Sequence, residues 1–254
     1  MKRTLAALAA IGILAQGCSS PRHFLKEMYT VSELDHLVMN NQRGLVTYVE
    51  KSEEDGLRDL QRLVKESQLE DAWVYIPEDN EWWEVGRYSW EEKSFSKASL
   101  NGALVEILAG TSKEVIKYHI HPENGIRSLF SKIHGDNDWD LFLTITSLPS
   151  AFDLYASLAL SCSVREQAPG KNIRFKIAAP QGIMEYTPQQ EAVDRICSEE
   201  GDRRRDFLVN ASSLIFDGYT IQSKILSAAS LPPGSSTLLY ADENFEIKFW
   251  AYEK

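Results

Sequence analysis

The run VIKYHIH, Val115 to His121, constrains the fold more than any other stretch of the chain. Its residues alternate strictly. On a strand, Ile116, Tyr118 and Ile120 share one face, while Lys117, His119 and His121 share the other. A strand with one face this apolar requires a sheet and something packed over it. The surrounding segments supply helices, so the chain reads as an α/β protein with a mixed sheet flanked by helices.

From Val31 to about Ser67 the pattern is mainly helical. Leu57, Leu60, Leu63 and Val64 recur at helical spacing, and Glu54 stands four residues before Arg58. Residues 71–95 read as short strands joined by a turn at Pro77-Glu78-Asp79-Asn80. This stretch holds Trp73, Trp82, Trp83 and Trp90, which suggest a carbohydrate-binding surface or, the favoured reading, aromatic packing of a small sheet. Leu104 to Gly110 forms a hairpin with Val115 to His121. Residues 123–140 read as a polar insert ending in a solvated acidic loop with His134, Asp136, Asp138 and Asp140.

Leu141 to Ser147 reads as an apolar strand, and a helix begins near Leu148. Residues 171–187 form a strand bent at Pro180-Gln181-Gly182. Thr187 caps a following helix, Pro188 suits its first turn, Gln190 completes a capping box and Gly201 ends it. Another helical stretch covers 203–229, and 236–252 closes the chain as a strand pair. No repeat or low-complexity linker divides residues 31–254, so they form one domain.

The N-terminus carries a different signal. Lys2 and Arg3 precede an apolar run from Leu5 to Ala15, which is a signal peptide over residues 1–17. Gln16-Gly17-Cys18 resembles the bacterial lipobox. That resemblance implies cleavage before Cys18, lipid on its thiol and amino group, and a tether over 18–30. An ordinary secretory signal with an incidental cysteine is the alternative. Ser19 after the lipidated cysteine implies the outer membrane, facing the periplasm, with the lipid anchor as the membrane contact. The formal charge of −10 argues against a nucleic-acid partner.

Cys162 and Cys197 remain. An oxidising periplasm permits a disulfide, but two buried free thiols are favoured, and no CxxC spacing indicates a cysteine zinc site.

His119 and His121 lie two apart on one strand face, about 7 Å along it, close enough for both imidazoles to hold one Zn²⁺. His121-Pro122 is followed by Pro149-Ser150-Ala151-Phe152-Asp153-Leu154. HxHP followed by PSxxDL resembles the JAMM (MPN, Mov34-type) metallopeptidases, over roughly residues 100–190. The resemblance implies a cytidine-deaminase-like architecture in which His119, His121 and Asp153 hold zinc and Ser150 assists at the oxyanion. It also implies a general-base Glu from an earlier segment. The interval from His121 to Ser150 is longer than usual for that family. Ser150 and Asp153 also fit a helix cap with no metal involved.

Glu106 is the first candidate for the base. In the expected hairpin it faces Lys117 and lies diagonal to His119; a Glu106–Lys117 ion pair is the other reading. Glu50 is the backup. The function expected is a lipid-anchored envelope zinc hydrolase cleaving peptide or isopeptide bonds in an envelope peptide, protein or peptidoglycan. The alternative is a non-catalytic lipoprotein that uses a degenerate metallopeptidase fold to bind a partner or wall polymer.

Overall fold

The computed structural model describes residues 47–89, 94–96, 112–133, 139–198, 218–228 and 235–252, together with Pro232. The expected signal peptide, Cys18 and the tether lie outside them. Nine strands form one mixed sheet within the described residues. They are β1 (Thr47–Glu50), β2 (Leu69–Ile76), β3 (Glu81–Ser89), β4 (Ser94–Ser96), β5 (Glu114–Ile120), β6 (Asn172–Ala179), β7 (Gly182–Pro188), β8 (Ser236–Ala241) and β9 (Phe245–Ala251). Their order is β1-β3-β2-β5-β6-β7-β9-β8, with β4 also paired to β3. The helices are α1 (Glu53–Glu66), α2 (Glu123–Ile133), α3 (Trp139–Ser147), α4 (Ala151–Gln167), α5 (Gln190–Ser198) and α6 (Gly218–Ala228).

The alternating strand is central. β5 runs antiparallel to β2 and parallel to β6. Parallel neighbours need a long crossover, and α2, α3 and α4 supply it. Ile116, Tyr118 and Ile120 pack with Trp82 and with Leu60 and Val64 of α1. Each such burial contributes about 1.5–3 kcal/mol. Trp82 fits because residue 56 is glycine: a Cβ there would lie 2.1 Å from the indole ring. On the opposite face, Leu154 and Leu158 of α4, Val193 of α5 and Ile221 and Ile225 of α6 cover Phe175, Ile177, Met184 and Tyr186.

Polar contacts fix α1 on the sheet. Ser52 caps the helix by accepting from the Asp55 amide, and acids fill its first turn. Tyr118 donates its hydroxyl to Glu53 at 2.5 Å. Lys176 donates to Glu53 and to the Tyr118 hydroxyl, each at 3.1 Å. Burial opposes the charge on Glu53, but Tyr118 and Lys176 outweigh it and hold the carboxyl below its usual range. Burial, then Glu53, pushes the Tyr118 hydroxyl well up.

The β2–β3 hairpin stands where its turn residues announced it. β2 and β3 join through Pro77 to Asn80, where Asn80 takes a positive φ of 55° and accepts from the Tyr75 hydroxyl at 3.0 Å. Residues 171–187, expected as one bent strand, are instead two, β6 and β7, which join through a turn at Pro180 and Gln181, and β8 pairs with β9. Among the tryptophans, Trp82 is buried while Trp73 and Trp83 are half-buried, in line with internal packing; Trp90 lies outside the described residues.

Several expectations need correction. Leu141 to Ser147 is helix α3, not a strand. An apolar run of this length has no periodicity that separates the two, and Thr144, Thr146 and Ser147 bond back to carbonyls one turn earlier. Thr187 and Pro188 do not start a helix: they end β7, paired with Glu246 and Phe245, and α5 begins at Gln190. Within the segment read as helical from Val31, residues 47–50 form strand β1. Cys162 and Cys197 are bonded to each other, joining α4 to α5. The two cysteines are brought together because α4 and α5 pack side by side.

Candidate metal centre

His119 is the sixth residue of β5, and His121 follows its end. The His121 amide donates to the Ala178 carbonyl at 2.9 Å, which carries the β5–β6 pairing one step on. Both imidazoles therefore stay on one face, and their Nε2 atoms are 3.1 Å apart. Both residues are buried.

The Nδ1 of His121 lies 2.7 Å from the Thr146 carbonyl of α3. A carbonyl only accepts, so Nδ1 carries the proton and Nε2 of the neutral ring keeps its lone pair. Burial and the neighbouring His119 push the His121 pKa down to about 4, against the pull of Asp153 and Thr146. The ring is neutral at pH 7, as a metal ligand must be.

Asp153 enters from the first turn of α4, and its Oδ1 is 3.4 Å from the His119 Nε2. Its Oδ2 accepts from the Ser150 amide at 2.8 Å and from the Ser150 hydroxyl at 2.6 Å. The Ser150 oxygen accepts in turn from the Asp153 amide at 3.2 Å. This is a full capping box. The helix-cap reading and the ligand reading are thus compatible: the cap uses Oδ2 and leaves Oδ1 toward the histidines. Burial opposes the Asp153 charge, yet His119, His121 and Ser150 hold its carboxyl well below the usual range. One ligand atom from each of His119, His121 and Asp153 lies within 4.8 Å of the others, so the three form a group that could hold a metal ion.

A second carboxylate was not anticipated. The pairing Ala72↔His119, carried two residues further, sets Glu70 beside His121. The Glu70 Oε1 is 3.5 Å from the His121 Nε2. The sequence holds half of the signal: Glu70, Ala72 and Val74 alternate onto one face after an amphipathic helix. The other half, that β2 is the partner of β5, is not local.

Tyr186 stands edge-on to His119, with ring centroids 6.4 Å apart. Burial, then the charges of Asp153 and Glu70, push its hydroxyl well up. Lys117 shares the strand face with both histidines; burial pushes its ammonium down and Asp153 opposes that.

Glu106 lies outside the described residues. The hairpin that would bring it to His119 has no edge to occupy, because β2 and β6 take both sides of β5. Glu50 is exposed on β1, three strands from β5, and pairs across to Glu81 at the far end of the β2–β3 hairpin. Glu50 does not fill the place expected of the base. His134, Asp136 and Asp138 are outside the described residues, and Asp140 sits exposed in the first turn of α3. No described helix is long and apolar enough to cross a membrane.

No protein-family model matches the chain, and no curated protein or solved structure matches it.

Proposed function

We propose that the chain is a zinc-dependent hydrolase of peptide or isopeptide bonds, of the JAMM kind, tethered to the cell envelope through lipid on Cys18. One observation carries this reading: His119, His121 and Asp153 converge, with Glu70 at 3.5 Å from His121.

The donor set fits the ion. Tetrahedral zinc bonds of about 2.0–2.1 Å place neighbouring ligand atoms about 3.3 Å apart. The His119–His121 and His119–Asp153 separations are 3.1 and 3.4 Å. Two imidazoles and one carboxylate leave a fourth position open, as catalytic rather than structural sites do.

Zinc held by His119, His121 and Asp153 would supply Lewis acidity and a water acidic enough to ionise near neutral pH. Glu70, 3.5 Å from the His121 Nε2, would take the proton of the attacking water and return it to the departing amine. Ser150 would assist the developing oxyanion by turning its hydroxyl away from Asp153, whose Oδ2 the Ser150 amide still holds. Thr146 keeps His121 in the ligating tautomer, and Ser150 orients Asp153.

The test is metal content of the purified chain by mass spectrometry, with hydrolysis of isopeptide-linked model peptides. One zinc per chain, and activity lost in Glu70→Gln with zinc retained, supports the reading. A chain that neither contains zinc nor takes it up on titration overturns it.

A further inference from the structure

α4 carries a second constellation, on its other half. Cys162 and Glu166 are four residues apart and so project from one helix face. Cys197 meets them from α5, with the cysteine Cα atoms 5.5 Å apart. One ligand atom from each of Cys162, Glu166 and Cys197 lies within 4.8 Å of the others. In the structure the two sulfurs are bonded, so neither is a thiolate ligand. Both cysteines are half-buried and Glu166 is not buried, which leaves the group open to a reductant and to an ion.

We propose that breaking this disulfide turns the α4–α5 contact into a site for one thiophilic divalent cation, held by two thiolates and the Glu166 carboxylate. A dithiol supplies the two electrons and two protons. The Cys162–Cys197 bond breaks, both sulfurs become thiols, and the dithiol closes its own disulfide. The cation then displaces both thiol protons. Two soft sulfurs with one oxygen suit Zn²⁺, Cd²⁺ or Co²⁺ and not Mg²⁺ or Ca²⁺.

The ligands need little gathering. Ala192 and Val193 of α5 and Leu158 of α4 sit in one core cluster, and Arg165 of α4 pairs with Asp194 of α5. The helices therefore stay side by side when the covalent bond goes. The site stands apart from the histidine centre and does not depend on the function proposed for it.

Cobalt(II) is the probe, since only thiolate ligation gives a sulfur-to-metal charge-transfer band. The full chain is used with Cys18→Ser, which leaves two thiols. The reduced protein is expected to take up one equivalent more than the oxidised protein and to show the band. Cys162→Ser removes both, Glu166→Gln lowers the affinity by about tenfold or more, and His119→Ala leaves the band in place. The proposal is overturned by a reduced chain without the band, by a band that survives Cys162→Ser, or by loss of the helical circular dichroism on reduction.

Discussion

Glu70 stands across the sheet from His121, with 3.5 Å between the carboxylate oxygen and Nε2. The relationship is made by strand pairing: β2 and β5 are antiparallel, and their register brings these residues level at the open end of β5. The same Nε2 of His121 lies 3.1 Å from the His119 Nε2.

If Glu70 is the proton acceptor, Glu70→Gln is expected to lower hydrolysis by about 10²–10⁴-fold while zinc content stays at the wild-type level. Glu50→Ala, on an exposed strand three places away, is expected to change neither. Steady-state rates alongside metal analysis decide it; equal activity of Glu70→Gln and wild type would remove Glu70 from the role.

Ser150→Ala separates the two duties of the capping box. It deletes the hydroxyl that donates to Asp153 and accepts from its amide. Loss of the cap costs about 0.5–2 kcal/mol in urea unfolding. Loss of the hydrogen bond orienting a ligand weakens zinc binding by about 10–100-fold. A variant less stable but with unchanged zinc affinity would show that Ser150 only caps.

Glu53 sets a pH dependence. Its carboxyl titrates lower in the folded chain than in the unfolded one, through Tyr118 and Lys176 acting against burial. The unfolded state therefore takes up its proton first as pH falls. The stabilisation is present above the ordinary carboxylate value near 4.5 and is lost as pH falls through the depressed folded value. Wild type and Glu53→Gln are expected to differ in urea midpoint at pH 7 and to converge at pH 3. A gap that stays constant between those pH values would contradict this account.

Gly56→Ala is expected to destabilise the chain by about 1–3 kcal/mol, the usual cost of overpacking. The new methyl meets the buried indole of Trp82 at 2.1 Å, and that ring is itself packed between Tyr75 and Tyr118. Thermal melting checks this, and Trp82→Phe in the same background should recover part of the loss by freeing space.

What the sequence determined by itself was local. The alternation from Val115 to His121 assigned β5 and put both histidines on one face, because strand side chains repeat every two residues. Ser150 and Asp153 marked the start of α4, because a cap is formed between near neighbours. The turn at Pro77 to Asn80 placed one hairpin for the same reason, whereas Pro180 to Gly182, which reads as a bend within a single strand, separates two paired strands. Tertiary structure decided whatever depends on which edge meets which. It gave β5 the partner β2 in place of residues 104–110, and so set Glu70 beside His121. It wound Leu141 to Ser147 into a helix whose Thr146 carbonyl reaches His121. It drew Thr187 into β7 by pairing it with Glu246, and it set Cys162 against Cys197. Local propensity is fixed by a few adjacent side chains, whereas strand partners and helix contacts are chosen by burial summed over the whole sheet.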